Sequence, residues 1–442
     1  MESSDLYDRH RAVLPPWVPL FYDDPLEIAS GTGRTLRGTD GKEYLDFYAG
    51  VAVNTLGYDV PEIREAVERK MRTGVVHSST FYLIREQVEL AERIAAASGI
   101  DDPVVFFTTS GSEAVETALL LATHHRQSQQ VIALRYAYHG RSFGALSVTG
   151  DRAWQAQGLS PLRVAYARGG DKRNGGMNTL DDTAYVHACA QDLREIIATG
   201  TPERTAAMIV EPVQGVAGAV PLAPGQLRAY ADVLRQHEIL LIADEVQTGW
   251  GRTGRYWGHQ WHEVTPDLLV FAKGVGSGFP LGGVVGRREV MTSLPGASVS
   301  TFGGNPLACA VALATLDYVD RYDLPAHALA MGELLRETLD AHMKDPGVAP
   351  LRGTGLLMAL EFADELSGEP DVPRAVRVQE RCRRQGLLVG LGGAFKNCLR
   401  IMPPLTVTAP EVRQAADILA AAVADDAADR QGPLAPPAHS LD

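Results

Sequence analysis

Cysteine is scarce in this sequence, and its placement argues against a disulfide framework and against a zinc site. The 442 residues include only four cysteines, which lie far apart and form no Cys-x-x-Cys pair: Cys189, Cys309, Cys382 and Cys398. Disulfide-stabilised folds and zinc modules need closely spaced cysteines or paired cysteines and histidines. We therefore expect reduced thiols and no bound metal.

Positive charge and long apolar runs are also lacking. Lysine and arginine number 41 against 54 aspartates and glutamates, and this balance of −13 does not suit a nucleic-acid or anionic-membrane surface. The longest apolar runs, near 240 and 268, have the length of a buried strand rather than of a membrane span. The N-terminal segment has no apolar stretch like that of a signal peptide. We expect a cytoplasmic protein without nucleic-acid or membrane partners.

What the chain does contain is a regular alternation of apolar strands and helical segments. Because its length exceeds the ~250–300 residues at which single cores stop growing, we expect two packed domains or one large domain with a satellite. Continuous apolar runs between helices indicate an α/β fold with a mostly parallel sheet covered on both faces. The predicted strands of this sheet are 104–107, 131–135, 206–210, 240–243 and 268–271.

The composition suggests where the domains divide. We predict an N-terminal arm and strands that pack with the smaller domain, a large cofactor-binding domain, a smaller α+β domain and a disordered tail: 1–65, 66–324, 325–425 and 426–442. Within the arm, residues 1–35 show no clear period and are predicted to be irregular. The polar, glycine-rich segment 169–182 is predicted to be a long mobile excursion.

Three predicted strands end in residues that can carry chemistry. After the first, Ser110, Gly111 and Ser112 precede a helix, where backbone N–H groups and the helix dipole favour a phosphate. The same residues also fit an ordinary N-cap, so the phosphate site is not decided by this segment alone. The other two strands end in Asp244 and Lys273.

Asp244 and Lys273 each have a structural and a chemical interpretation. A carboxylate at the end of a buried strand needs a cation, which can be a salt-bridge partner, a metal or a protonated pyridine nitrogen. A lysine there is usually solvated, but burial can convert it into an imine-forming amine. A phosphate cradle, a carboxylate and an amine together are what pyridoxal 5′-phosphate requires.

These residues stand in motifs that resemble those of the class III aminotransferases, and the resemblance extends from about Pro16 to Ala420. The matching segments are SGSEA at 110–114, YHGR at 138–141, EPVQG at 211–215, DEVQTG at 244–249, AKG at 272–274, STFGGNP at 300–306 and LRIMPP at 399–404. The resemblance implies a fold type I pyridoxal-phosphate-dependent transferase with an amino donor and a 2-oxo acid as small-molecule substrates.

The resemblance also assigns residues to the cofactor ring. Lys273 would carry the imine with the cofactor and move the proton between the substrate and the cofactor. Asp244 would bind the ring nitrogen, while Tyr138 and Val246 would pack on opposite ring faces. The remaining residues implied near the ring are Gln247 at the phenolic oxygen, Glu211 beside ring and substrate, and His139, which would orient its neighbours.

The phosphate end implies a second subunit. Ser110, Gly111 and Ser112 would hold the phosphate of their own chain's site, whereas Thr301 would reach the phosphate in the neighbouring subunit. The resemblance therefore implies an obligate homodimer with shared active sites.

For the substrate, Arg400 is the best carboxylate anchor, because a guanidinium presents two parallel donors; its alternative is a structural ion pair. Ornithine-type members have a glutamate that pairs with this arginine, and here the position is Val216, which weakens an ornithine or acetylornithine assignment. Arg141 is a secondary anchor. Trp17 and Tyr22 are expected in the substrate pocket, although core packing is an equal alternative.

The predicted activity is ping-pong transfer of an amino group from an amino acid or ω-amino acid to pyruvate, glyoxylate or 2-oxoglutarate. The motifs are most similar to the alanine–glyoxylate and β-aminoisobutyrate–pyruvate branch. A phospho-lyase or decarboxylase using the same cofactor is the main alternative, since the fold does not fix the reaction. A non-catalytic regulator is the other alternative, but the chain has no evident DNA-reading module.

Overall fold

The structure, a computed structural model, describes residues 3–151, 154, 160–173, 176–201 and 204–431. Several helices begin at a side chain that caps the first free N–H groups, such as Ser110, Asp181 and Asn305. The described residues form thirteen helices: α1 Ser3–Val13, α2 Ala49–Ala52, α3 Pro61–Arg72, α4 Arg85–Ser98, α5 Gly111–Arg126, α6 Phe143–Val148, α7 Asp182–Glu195, α8 Gln226–Gln236, α9 Arg288–Met291, α10 Pro306–Arg321, α11 Leu324–His342, α12 Val372–Arg384 and α13 Ala409–Gln431.

Strands make up the second part of the architecture, and they pair into four sheets. The strands of the described residues are β1 Ile28–Thr32, β2 Thr35–Gly38, β3 Glu43–Asp46, β4 Pro103–Thr108, β5 Gln130–Leu134, β6 Arg163–Ala167, β7 Thr205–Val210, β8 Val213–Gln214, β9 Val220–Pro221, β10 Leu240–Asp244, β11 Leu268–Phe271, β12 Gly282–Arg287, β13 Arg352–Thr354, β14 Leu357–Glu361, β15 Leu387–Leu388, β16 Gly390–Gly392 and β17 Cys398–Ile401.

The central sheet has seven strands in the order β4-β12-β11-β10-β7-β5-β6. Strands β11, β10, β7, β5 and β6 are parallel to their neighbours, as their apolar runs predict. The exception is β12, which pairs antiparallel with both β11 and β4. The sequence did not reveal β12 because its GGVVGR composition is poor in the bulky apolar residues that mark a strand.

Alternate residues of the central strands face opposite helix layers. Ile132 and Met208 pack into a cluster with α7 and α8, whereas their neighbours Val131 and Ala207 pack into a cluster with α5 and α6. Every residue of β5, β7 and β10 is buried. The prediction of an α/β fold with a mostly parallel sheet covered on both faces is therefore confirmed.

A smaller α+β unit is built from both ends of the chain. Its antiparallel sheet has the order β13-β14-β17-β16, and a second sheet has the order β1-β2-β3-β15. Leu45 and Phe47 from the N-terminal part share a core with Leu360 and Leu419 from the C-terminal part. This shared core is why strand β3 packs with β15, more than 300 residues away in sequence. The predicted boundaries at 65/66 and 324/325 stay predictions.

Two local predictions need correction. Residues 1–35 are not irregular throughout, since they contain helix α1 and strand β1. Helix α13 continues to Gln431, so residues 426–431 belong to a helix rather than to a disordered tail, and 432–442 lie outside the described residues. The mobility of the segment 169–182 stays a prediction, and in its described part Lys172 and Arg173 form ion pairs.

The four cysteines are all buried and unpaired. None of the helices formed by the described residues has the length and apolar character needed to cross a membrane.

Candidate active site

A cavity of about 320 Å³ lies beyond the carboxyl ends of β4, β7, β10 and β11. In sheets of this kind the loops at these ends form the ligand site. The predicted residues that line the cavity are Ser110, Gly111, Ser112, Tyr138, His139, Arg141, Glu211, Asp244, Val246, Gln247 and Lys273. The structure thus brings together eleven residues that span more than 160 positions of sequence.

The start of helix α5 forms one wall. Ser110 is the N-cap, and its Oγ accepts the N–H of Glu113 at 3.2 Å. A Cβ on Gly111 would lie 3.0 Å from Cγ1 of Val246, so a larger residue at this position would require the Val246 side chain to shift. The capping interpretation is therefore correct, and it is compatible with an anion site, because Gly111 and Ser112, which open the helix, line the cavity.

Asp244 ends strand β10 and is held on both carboxylate oxygens. Its Oδ2 lies 2.6 Å from Nδ1 of His139, and its Oδ1 accepts the backbone N–H of Val246 at 3.1 Å. Both side chains are buried, and Nε2 of His139 has no hydrogen-bond partner among the described residues. His139 is therefore placed to orient Asp244.

Glu211 lies just after β7 and joins two loops of the cavity. One carboxylate oxygen accepts the N–H of Tyr138 at 2.9 Å, and the other accepts the N–H of Gly215 at 2.9 Å. Burial raises the pKa of Glu211 to about 7, with His139 opposing and Asp244 reinforcing the shift. This carboxyl group can therefore exist in either protonation state near neutral pH.

Lys273 follows β11 and opens a short 3₁₀ turn, Lys273–Gly276, with a left-handed φ of 49°. Burial lowers the pKa of its amine to about 8. The negative charges of Asp244 and Glu211 oppose this shift, and the positive charge of Arg400 adds to it. A neutral amine, which can act as a nucleophile or a base, is thus accessible at moderate pH.

Arg400 lies on β17, behind the residues that line the cavity. Its Nη2 donates to Oε1 of Gln247 at 2.6 Å, and its Nη1 donates to the hydroxyl of Tyr48 at 3.4 Å. Only 4% of Arg400 is exposed, and no carboxylate of the described residues lies within ion-pair distance of it. The structural ion pair considered from the sequence is therefore not what holds Arg400.

Three predicted residues lie away from the cavity. Trp17 is exposed and lies against the guanidinium of Arg141, whose carbon is 5.2 Å from the indole centroid. Tyr22 lines a separate cavity of about 340 Å³, where it lies against Arg383, so it does not contact the Lys273 cavity as expected. Thr301 is exposed on the surface of its own chain.

Some residues around the site were not found from the sequence. Val53, Phe279, Pro280 and Leu281 line the cavity, and Tyr48 contacts Arg400 from outside it. These are apolar or aromatic side chains without a motif of their own. Only the glycine-rich chain after Lys273 was a signal that the segment up to Gly278 approaches a ligand.

Comparison with known proteins identifies the same family that the sequence motifs resemble. The sequence profile of the family described as aminotransferase class-III matches residues 22–423. A mitochondrial alanine–glyoxylate aminotransferase 2 homologue from Arabidopsis thaliana is 35% identical over 91% of this chain and 84% of its own length. An acetylornithine aminotransferase from Methanothermobacter thermautotrophicus is 33% identical over 96% of this chain and all of its own.

A solved structure supports the same relationship. The (S)-enantioselective ω-transaminase from Thermomicrobium roseum superposes with a TM-score of 0.88 at 32% identity, covering 98% of this chain and 100% of that one. The fold and the site define a fold type I transferase that uses pyridoxal 5′-phosphate. The chain belongs to the class III aminotransferase family, and it is an aminotransferase acting on an amino donor and a 2-oxo acid.

Proposed function

We propose that this chain transfers the amino group of a carboxylate-bearing amino acid or ω-amino acid to a small 2-oxo acid in two half-reactions. Bound pyridoxal 5′-phosphate supplies an electron sink for the bond that breaks at the substrate Cα. The residues present fit that cofactor, because a partly buried amine, a buried carboxylate and a helix N-terminus line one cavity. The chain itself positions the cofactor and the substrate, supplies charges that match theirs, and transfers the proton.

The cofactor's charged ends are matched by fixed groups of the chain. The first turn of α5, from Ser110 to Ser112, offers N–H and hydroxyl donors to the phosphate. Asp244 supplies the negative charge for the ring nitrogen, and His139 keeps this carboxylate oriented through its 2.6 Å contact. Tyr138 and Val246 supply the surfaces for the two ring faces.

Lys273 is the proposed base. At a pKa of about 8, part of its amine is neutral at physiological pH. A neutral amine can accept the Cα proton of the substrate and, once protonated, donate it again later in the half-reaction. Glu211 and Gln247 line the same cavity and are proposed to contact the ring substituents and the substrate.

Arg400 is the proposed anchor for the substrate carboxylate, and its surroundings carry the proposal. A buried guanidinium whose hydrogen-bond partners among the described residues are all neutral, namely Gln247, Tyr48 and the sulfur of Met402, retains a net positive charge without a matching anion. A carboxylate forms stronger hydrogen bonds to guanidinium than an amide does, so a substrate can take the place of Gln247. Val216 stands where ornithine-type members have a glutamate, and no carboxylate of the described residues pairs with Arg400, so none has to be displaced first.

We further propose that the chain acts as a homodimer in which Thr301 reaches the partner's phosphate site. Thr301 lies beside an exposed apolar surface, where the ring of Phe302 stacks on His77 at 4.9 Å. Two segments, 75–83 and 299–302, carry apolar side chains that are each more than one-third exposed: Val75, Val76, Phe81, Tyr82, Leu83, Val299 and Phe302. An apolar surface of this kind marks a protein interface. The cytoplasmic location expected from the sequence stays a prediction.

A donor panel tests the proposed function. Alanine, β-alanine, β-aminoisobutyrate, ornithine, 4-aminobutyrate and aspartate are offered with pyruvate or 2-oxoglutarate, and Lys273→Ala is the blank. We expect turnover with at least one carboxylated donor, no turnover in the blank, and a strong rise in KM for that donor in Arg400→Gln. Equal KM values in Arg400→Gln and wild type would show that Arg400 is not the anchor.

A further inference from the structure

Strand β16 consists of Gly390, Leu391 and Gly392, and its two glycines leave room for the side chains of Tyr48 and Arg400. Gly390 is the cross-strand partner of Arg400 in the β16–β17 pair. A Cβ on Gly390 would lie 2.0 Å from ring carbon Cε2 of Tyr48, and a Cβ on Gly392 would lie 2.4 Å from Cδ of Arg400. The two glycines project to the same side of the strand, so both side chains occupy space that only glycine leaves free.

Tyr48 is fixed in this space by contacts on two sides. Its ring lies 5.5 Å from the ring of Phe21, and the guanidinium carbon of Arg400 lies 5.8 Å from its centroid. Its hydroxyl accepts Nη1 of Arg400 at 3.4 Å. Because Gln247 accepts Nη2 at 2.6 Å, the two terminal nitrogens of Arg400 are each directed by a neutral oxygen.

The neutrality of both partners matters for binding an anion. A carboxylate partner would neutralise the guanidinium and compete with the substrate, whereas a phenol and an amide orient it and leave its charge unmatched. The Tyr48 hydroxyl accepts from Arg400, and no acceptor among the described residues receives its own proton. That O–H is therefore available to the carboxylate that Arg400 binds.

We propose that Tyr48 is a positioning residue for Arg400 that makes the site selective for carboxylate-bearing substrates. Tyr48 sets the plane of the guanidinium and offers its O–H as a further donor to the same carboxylate. The inference rests on the proposed role of Arg400, and it adds a residue that no motif of the sequence identified.

The test compares Tyr48→Phe with Tyr58→Phe in the holoenzyme. Tyr58 lines the cavity next to Tyr48, but its hydroxyl donates to Asp46 and does not touch Arg400, so it controls for the loss of a phenol in this region. Calorimetric titration with propionate measures carboxylate binding without turnover, and steady-state kinetics with alanine and glyoxylate separate KM from kcat. Tyr48→Phe should raise the propionate Kd and the alanine KM about three- to tenfold, with kcat within about twofold.

The outcomes separate this inference from the proposed function. Tyr58→Phe should leave propionate binding unchanged, and Arg400→Gln should abolish it. If Arg400→Gln abolishes binding while Tyr48→Phe binds like wild type, the role of Tyr48 is wrong and the anchor stands. If Arg400→Gln binds normally, both assignments are wrong. Should Tyr48→Phe fail to fold, Gly390→Ala displaces the same ring, and an unchanged Kd there would equally overturn the proposal.

Discussion

At the scale of single residues, burial has more influence on Lys273 than its charged neighbours do. Two carboxylates, Asp244 and Glu211, favour the protonated amine, yet the pKa falls to about 8 because removing an ammonium from water is the larger effect. Glu211 shows the same competition with the opposite sign, since burial raises its pKa to about 7. A neutral base and a readily protonated acid therefore coexist in one cavity near neutral pH.

The first prediction concerns the titration of Lys273 in the apoprotein. The rate at which an acylating reagent modifies this amine should rise with pH and reach a plateau, because only the neutral form reacts. The midpoint of this rise should lie near pH 8. Peptide mass mapping at position 273 measures the rate. Asp244→Asn should move the midpoint lower, since it removes a charge that favours the ammonium. A midpoint above 10 in the wild type would contradict the role of burial.

At the scale of elements, the site depends on close packing between the 138–141 segment and the start of α5. Gly140 has a φ of 133°, and a Cβ there would lie 2.5 Å from Oγ of Ser112. The Oγ of Ser112 in turn accepts the N–H of Arg141 at 3.0 Å. The two segments therefore fix each other, and with them the donors that are proposed to bind the phosphate.

Gly140→Ala should consequently weaken cofactor binding about tenfold or more, because the added methyl pushes the two segments apart. Absorbance titration of the apoprotein with pyridoxal 5′-phosphate measures the Kd. Gly296→Ala is the matched control, as a Cβ at that position would meet no atom within 4 Å. Equal affinity in the two variants would show that this contact does not shape the phosphate site.

An ionic network joins the 169–182 segment to strand β14. Arg173 donates from both terminal nitrogens to Glu361, at 2.9 Å each, and also binds Asp171. Arg352 approaches Glu361 from the other side and donates Nε to the carbonyl of Gly218 at 2.6 Å. Burial raises the pKa of Glu361, but the hydrogen bond from Arg173 and the charges of both arginines outweigh it, so the pKa is lowered.

Arg173→Gln should therefore lower the free energy of unfolding by about 1 kcal/mol at pH 7. A lowered carboxyl pKa contributes stability above the unfolded value, 4.5 for Glu361 and 3.8 for Asp171, and loses it as the pH falls through the folded value. The difference from wild type should thus shrink below about pH 4. Urea unfolding at several pH values measures it. Arg64→Gln, which removes an exposed pair with Asp59, is the control.

At the scale of the whole molecule, the described part of one chain exposes both an apolar surface and Thr301, the residue proposed to act in the partner's site. Thr301 is exposed and lies outside the cavity that contains Lys273. Exposed apolar side chains lie on 75–83 and 299–302, and these two segments meet where Phe302, the residue after Thr301, contacts His77. A two-fold dimer buries such a surface against its own copy, and can place Thr301 of each chain at the other chain's site.

A hybrid-dimer experiment checks this arrangement. Lys273→Ala lacks the amine, and Thr301→Glu places a negative charge where the partner's phosphate would lie, so each variant alone should be inactive or nearly so. After exchange of subunits in an equal mixture, random pairing leaves one intact site in each hybrid, and activity should return to about a quarter of wild type. An inactive mixture that contains proven hybrids would contradict shared sites.

Much of the central sheet could be predicted because its strands are continuous apolar runs bounded by polar residues. Strand β10 and Asp244, like β11 and Lys273, needed only this pattern and the rule that parallel strands share one functional end. Strand β12 escaped because glycine and arginine mask its pattern, and helix α1 escaped because its apolar period is weak.

The sequence by itself determined the fold class, the order of the central strands' functional residues and the chemistry of the cofactor, since strand length, apolar runs and residue type are local properties. Only the tertiary structure decided which neutral groups hold Arg400, that Tyr22 lies in another cavity, and that His139 supports Asp244. These depend on register and packing between segments hundreds of residues apart. Tyr48 and Arg400 meet across 352 positions, and the glycines of strand β16 leave the space for them.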